Sequence, residues 1–124
     1  MQKFTDLHAW KTGLELVKEI YLLSRRFPKE EMYAMTAQIR RSSTSVLANI
    51  AEGFGRFTYA DKANKYTIAR GECTETEALL TIAVALKFIT AQQASRAFDL
   101  IDQLEKMLSG LIRSSKSRST SKSP

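Results

Sequence analysis

The 124-residue sequence has few of the side chains that metal and cofactor sites use. It contains one cysteine, Cys73, and one histidine, His8, so it cannot form an internal disulfide. A di-iron helical bundle takes a Glu-x-x-His motif from each of two helices and is therefore excluded. The sequence has no zinc-ligand spacing, phosphate-binding loop or dinucleotide-binding glycine pattern. We therefore expect neither a metal nor a cofactor.

The sequence also has few residues that would form a nucleophilic catalytic site. A Cys–His pair would need Cys73 and His8 to lie together. Cys73 falls within a helical pattern and has apolar residues beyond it, which is typical of a small buried core thiol. The sequence accordingly predicts that the protein is not an enzyme.

Chain breakers are scarce, with five glycines and two prolines, and this favours long regular elements. No segment alternates apolar and polar residues as a strand does. Apolar residues instead recur three and four residues apart, as in amphipathic helices. We predict four helices, at residues 7–24, residues 29–54, from Tyr59 for about 30 residues, and from after Thr90 to about Leu111. Their short connections predict an all-α fold, an antiparallel up-down-up-down four-helix bundle.

Long apolar runs are absent too. The first residues, Met1 to Asp6, lack the apolar segment and cleavage site of a signal peptide. No stretch reaches the roughly 18 apolar residues of a membrane-spanning helix. The single cysteine gives no sign of an oxidising compartment. These features predict a cytoplasmic protein with no membrane partner.

The positive charge is unevenly distributed. The net charge is +6, and four of the basic residues lie in the segment 113–124, which contains no acid. We predict that residues 1–112 form the bundle domain and that residues 113–124 are a basic Ser/Lys-rich tail without fixed structure. The bundle itself is then nearly balanced in charge, so the high sequence pI is weak support for nucleic-acid binding.

The second predicted helix carries a polar stripe beside its apolar seam. The stripe residues are spaced by three or four and share one face; they are Gln38, Arg41, Ser45, Asn49, Glu52 and Arg56. Three interpretations remain open: a solvated flank with local pairs such as Glu52 with Arg56, a structural network between helices or subunits, and a ligand site. The third helix offers acidic partners for such a network in Glu72, Glu75 and Glu77, and Glu75 is a candidate partner for Arg41 or Arg40.

Basic residues form two further clusters, which an antiparallel bundle places at opposite ends. Arg25 and Arg26 lie at the first turn. The second-loop patch comprises Arg56, Lys62, Lys65 and Arg70. Tyr59 and Tyr66 interleave with this patch and would be able to stack on bases. Both clusters are read either as solvated basic surface or as sites for sequence-independent phosphate contacts.

Several segments carry a family resemblance. The stretches Phe27 to Tyr33, Gln38 to Arg41 and Asn49 to Arg56 resemble the four-helix bundle family named after proteins encoded in intervening sequences of bacterial 23S ribosomal RNA genes. The run Asn-Ile-Ala-Glu-Gly is the most specific part, and the resemblance extends over residues 4–112. It implies a ring-like homo-oligomer, a pentamer, and an association with ribosomal RNA that reflects where some family genes lie.

The same resemblance extends to related accessory proteins of diversity-generating retroelements, which bind a reverse transcriptase and nucleic acid. A protein or an RNA partner is therefore compatible with it. We predict a non-catalytic oligomeric scaffold or protein-interaction module. The alternative is non-specific RNA binding by a basic surface of the oligomer.

Overall fold

The computed structural model describes residues 3–120, and four long helices dominate it. They are α1 (His8–Ser24), α2 (Met35–Gly55), α3 (Tyr59–Ala85) and α4 (Ala91–Thr120). Each helix packs against the next and α4 packs against α1, whereas no close backbone approach joins α1 to α3 or α2 to α4 among these residues. Helices α1 and α3 therefore occupy diagonal corners. The described chain has no strand, and the predicted all-α four-helix bundle is confirmed.

The first helix turns a different face to the core from the one that its spacing suggested. The spacing of Leu7, Trp10, Leu14, Val17 and Tyr21 predicts one apolar seam. Leu7 is buried, but Leu14 and Tyr21 are 38% and 39% exposed. The core side consists of small and branched residues one position away: Ala9, Gly13, Leu16, Ile20 and Leu23. Because α1 has apolar residues on two adjacent stripes, periodicity alone selected the wrong one.

The second helix begins later than predicted. Pro28 is followed by a 3₁₀ turn at Lys29–Glu31, and α2 starts only at Met35. The Met35 amide donates a hydrogen bond to the Glu31 carboxylate at 3.4 Å. This contact satisfies one of the first-turn amides, which have no partner within the helix. The polar sequence around residue 30 therefore caps α2 instead of belonging to it.

Side-chain caps fix the starts of the last two helices. The Thr58 hydroxyl accepts a hydrogen bond from the Asp61 amide at 3.1 Å. Thr90 and Gln93 form a complete capping box, with both hydrogen bonds at 3.0 Å. These are the caps that the sequence predicted.

The end of α3 has an unusual backbone conformation. Lys87 has a φ of 65°, in the left-handed region. The Phe88 amide donates to the Ala83 carbonyl at 2.9 Å and the Lys87 amide to the Val84 carbonyl at 3.0 Å. This pair of bonds is the Schellman motif, in which glycine is the usual residue at the position of Lys87.

The last helix is longer than predicted. It continues to Thr120, so the expectation that the chain has no fixed structure from Arg113 onward was wrong as far as Thr120. Ile112 and Ser115 are buried and extend the apolar seam. The Arg118 guanidinium lies 5.5 Å from the centre of the Tyr59 ring. The predicted tail includes residues 121–124, which lie outside the described residues.

Candidate functional site

The polar stripe of α2 meets α3 in a hydrogen-bonded cluster. Arg41 Nη1 donates to Glu72 Oε2 at 2.9 Å, and Arg41 Nη2 donates to the Glu75 carboxylate. The predicted contact between Arg41 and Glu75 is therefore present. Glu72, which lies three residues before Glu75 and so on the same side of α3, is the second acidic partner of Arg41. Arg40, the other candidate partner of Glu75, instead donates from Nε to Ser24 Oγ at 2.8 Å.

Ser45 and Asn49 extend this cluster along α2. The Asn49 amide donates to the Ser45 carbonyl at 2.9 Å and to Ser45 Oγ at 3.2 Å. Burial alone would raise the pKa of Glu72, but hydrogen bonds from Ser45 and Arg41, together with the Arg41 charge, bring it below its ordinary value. We call these five residues the α2–α3 polar network: Arg41, Ser45, Asn49, Glu72 and Glu75.

The other three members of the predicted stripe lie apart from this network. Glu52 pairs with Lys65 of α3 at 3.2 Å, and not with Arg56 as the spacing suggested. Gln38 and Arg56 are exposed, and their side chains have no hydrogen-bond or ion-pair partner within residues 3–120. The Arg41 side chain is itself 54% exposed, so its ion pairs are screened by water and stabilise the monomer by at most about 1 kcal/mol.

The second-loop patch is less available than its sequence suggested. Lys62 Nζ donates to the Phe54 carbonyl at 2.6 Å, at the end of α2, and Lys65 pairs with Glu52. Tyr66 is buried, which raises the pKa of its hydroxyl, and it cannot stack on a base. The expectation for Tyr66 was therefore wrong, because its ring fills the space beside Gly53.

The patch at the first turn keeps its charge on the surface. Arg25 and Arg26 are exposed, and they lie at the opposite end of the bundle from the second-loop patch. Neither side chain has an ion-pair partner in the described part of the chain. The two basic clusters are therefore separate, as predicted.

Two exposed apolar faces were not recognised from the sequence. The α1 face comprises Leu14, Tyr21 and Leu22, which are 38–54% exposed, and the α3 face comprises Ile68, Ile82 and Leu86, which are 42–56% exposed. Exposed apolar side chains aligned along one side of a helix are candidates for contact with a partner. Because α1 and α3 are diagonal, the two faces point away from each other.

The charges next to these faces have opposite sign. On α1, the exposed cations Lys11, Lys18 and Arg25 fall on the same helical stripe as Leu14 and Tyr21. On α3, Glu72 and Glu75 lie between Ile68 and Ile82 on one stripe. The Leu14 and Tyr21 side of the α1 face is thus bordered by positive charge, with Glu15 beside Leu22, and the α3 face is bordered by the two carboxylates of the α2–α3 polar network.

Reactive groups are few in the described residues. Within residues 3–120, no three acidic, histidine or cysteine side chains are placed to hold a metal ion together. Cys73 is completely buried, as predicted, and burial with the nearby carboxylates raises its pKa to about 12. A thiol in this state is neither a nucleophile nor a metal ligand. No described helix has the length and apolar character needed to cross a bilayer.

Fold and surfaces together define a small four-helix bundle with exposed apolar side chains on α1 and α3. The model of the 23S rRNA-intervening sequence protein family matches residues 5–110, so the chain belongs to that family. A crystal structure of a protein with unknown function from the S23 ribosomal protein family of Bacteroides thetaiotaomicron VPI-5482 is 30% identical, with a TM-score of 0.77. The match covers 84% of this chain and 97% of that one. No curated protein matches significantly.

Proposed function

We propose that the protein is a non-catalytic homo-oligomeric scaffold in which the α1 face of one copy packs against the α3 face of the next. The observation that carries this proposal is the pairing of two exposed apolar faces with opposite bordering charge. Burying three large apolar side chains on each partner would remove them from water, which favours association. The opposite charges would set the orientation of the two copies.

The arrangement of the two faces favours a ring. A twofold dimer uses the same patch on both subunits, whereas two different patches give a head-to-tail contact. Each copy then offers one free face of each kind until the chain of subunits closes on itself. The family resemblance supports a ring of five copies, and the physical argument supports closure without fixing the number.

Assembly would also change the α2–α3 polar network. Its carboxylates Glu72 and Glu75 lie between Ile68 and Ile82, so a docked neighbour would exclude water from them. Electrostatic interactions strengthen when water is removed, provided that every charge stays paired. Arg41, which contacts both carboxylates, supplies that pairing in each copy. The network is then a means of fixing the register between subunits.

The remaining parts of the proposal concern chemistry and location. We assign the scaffold no catalytic activity, since Cys73 is a neutral buried thiol and His8 lies at the surface. A free thiol suits a reducing compartment, so we place the protein in the cytoplasm. A protein partner could bind the assembled ring. Non-specific RNA binding is not favoured at the second-loop patch, because Lys62 and Lys65 already make contacts within the monomer.

A pair of variants tests the proposal directly. Leu14→Glu places an acid in the α1 face, and Ile82→Lys places a base in the α3 face. Each variant should run as a monomer in size-exclusion chromatography with light scattering and keep its helical circular dichroism. Mixed together, they should form a one-to-one dimer, because each still has one intact face. Gln103→Glu, an exposed change on α4 outside both faces, should leave the oligomer intact.

Other modes of subunit pairing predict different results for these two variants. If only Leu14→Glu dissolves the oligomer, α1 pairs with α1 and the head-to-tail contact is wrong. If only Ile82→Lys does so, the contact is between two α3 faces. A monomeric unmodified protein at tens of micromolar would overturn the scaffold itself.

A further inference from the structure

Helices α3 and α4 leave a groove between them on the outside of the bundle. Three adjoining cavities of about 450, 260 and 500 Å³ follow it. The first two share Arg70 and the last two share Thr67, so they form one continuous channel. We call this channel the α3–α4 groove.

Four cations line the α3–α4 groove. Lys106, Arg113 and Lys116 come from α4, and Arg70 comes from α3. None of the four makes an ion pair in the described part of the chain, unlike Lys62 and Lys65. Arg113 and Lys116 have fixed positions here because α4 continues as a helix beyond the predicted end of the bundle.

The polar floor of the groove contrasts with the apolar α1 and α3 faces. Asn64, Thr67 and Thr74 of α3 and Ser109 of α4 contribute amide and hydroxyl groups. Asp102 and Glu105 also line one end, which leaves the groove with two more cations than acids. Side chains of these polar and cationic types are the ones that contact nucleic-acid phosphates.

Gly71 on the groove floor has no packing explanation. A Cβ atom added there would meet nothing within 4 Å, so close packing against a neighbouring helix does not explain this glycine. Glycine destabilises a helix interior relative to alanine. A bare backbone on the floor does, however, allow a ligand to approach α3 closely.

We propose that the α3–α4 groove binds the phosphodiester backbone of nucleic acid. The cations contact phosphates, and the hydroxyl and amide groups of the floor donate further hydrogen bonds. No aromatic side chain lines the three cavities, so binding does not depend on base identity. An acidic protein helix would need apolar anchor residues in the groove, and the floor offers few.

This inference does not rest on the proposed scaffold function. One copy carries the complete groove, whose α3 side (Asn64, Thr67, Gly71 and Thr74) adjoins the α3 face along the same helix. A ring would repeat the groove in every subunit and increase binding through avidity. A monomer should still bind, only more weakly.

The test is fluorescence anisotropy with the full chain and labelled poly(U) of about 20 nucleotides. The logarithm of affinity should fall linearly with the logarithm of salt concentration, with a slope of about −3 per groove for four phosphate contacts. The double variant Arg113→Gln/Lys116→Gln should bind more than about tenfold more weakly at low salt and lose about 1.4 from that slope. The matched control Lys29→Gln/Lys87→Gln removes the same charge from two exposed lysines at the other end of the bundle and should have little effect.

A second variant separates shape from charge. Gly71→Gln fills the groove floor at constant charge and should also weaken binding, while circular dichroism and light scattering confirm folding and oligomer size. An absence of poly(U) binding at low salt overturns the proposal. So does equal weakening by the control variant, which would indicate a net-charge effect. Poly-glutamate binding as tight as that of poly(U) would instead identify an acidic protein as the occupant.

Discussion

The hydroxyl groups of Ser42 on α2 and Thr76 on α3 lie 2.8 Å apart, and both side chains are completely buried. Each hydroxyl also contacts a backbone carbonyl of its own helix, Ile39 at 3.2 Å and Glu72 at 2.9 Å. The small side chains bring α2 and α3 close together, and the hydrogen bond removes the cost of burying two polar atoms.

This pair gives a double-mutant cycle. Ser42→Ala and Thr76→Val should each lower the free energy of unfolding by about 1 kcal/mol, because each leaves the other hydroxyl without its cross-helix partner. The double variant should cost no more than the larger single change, since both partners are then apolar. Urea denaturation of the four proteins measures this. Strictly additive losses would show that the cross-helix bond contributes nothing.

Two glycines should respond in opposite ways to the same substitution. Gly71→Ala should raise the free energy of unfolding by about 1 kcal/mol, since the new methyl group meets nothing and alanine favours the helix. Gly53→Ala should lower it, because its Cβ would lie 2.7 Å from Cε1 of the buried Tyr66 ring. Thermal unfolding of both variants checks the signs. Equal effects would mean that helix propensity alone controls both positions.

The end of α3 offers a stabilising change. Lys87→Gly should raise the free energy of unfolding by about 1 kcal/mol, because glycine adopts the left-handed conformation without steric cost. Lys87→Ala is the matched control, since it removes the charge and keeps the strain. Chemical denaturation should therefore separate the glycine variant from both other proteins. A gain shared by alanine would assign the effect to the lysine charge.

Three neighbouring acids, Glu77 of α3 with Asp102 and Glu105 of α4, predict a pH-dependent stability. Burial, with the charges of Glu105 and Asp102, raises the pKa of Glu77, so the folded protein holds this proton more tightly than the unfolded chain. The stabilisation from the protonated form is lost as pH rises through the folded pKa. Glu77→Gln should thus raise the melting temperature at about pH 7, and the gain should shrink toward about pH 4.

Glu75→Gln is the internal control for that titration. Glu75 is close in sequence but binds Arg41, so its neutral replacement should lower the melting temperature slightly at about pH 7. Melting curves across the pH range distinguish the two glutamates. A pH-independent gain for Glu77→Gln would show that packing, and not ionisation, causes it.

Local signals in the sequence were sufficient to predict the number of helices and the N-terminal caps at Thr58 and Thr90. These depend on spacing and on residues three positions apart, which the sequence displays directly. The core face of α1 is the one of its two apolar stripes that the neighbouring helices contact. The sequence does not distinguish the two stripes, because Leu14 on one is as apolar as Leu16 on the other. Tertiary packing decides between them, so the exposed α1 face was missed.

The contacts of the polar and basic side chains were likewise predicted where the helical pattern decides them and missed where a neighbouring helix decides them. The contact of Arg41 with Glu75 followed from the face that each residue occupies. Glu52 pairs with Lys65 instead of Arg56 because α3 passes beside α2 there, and this cannot be seen along one helix. The α3–α4 groove was missed because the length of α4 was not predicted. The serine- and lysine-rich composition after Leu111 suggested a tail without fixed structure, although Ile112 and Ser115 are buried.

The length of α4 also bears on the order of folding. At about 1.5 Å per residue, α3 and α4 are roughly 40 and 45 Å long, whereas α1 is roughly 26 Å. The two long helices are joined by residues 86–90, and the contact of Arg118 with Tyr59 brings their far ends together. Contacts between neighbouring elements cost the least loop-closure entropy. Helix α2 joins α3 through the even shorter connection 56–58. We therefore expect α3 to form hairpins with α2 and α4 first and to be the template on which α1 docks last.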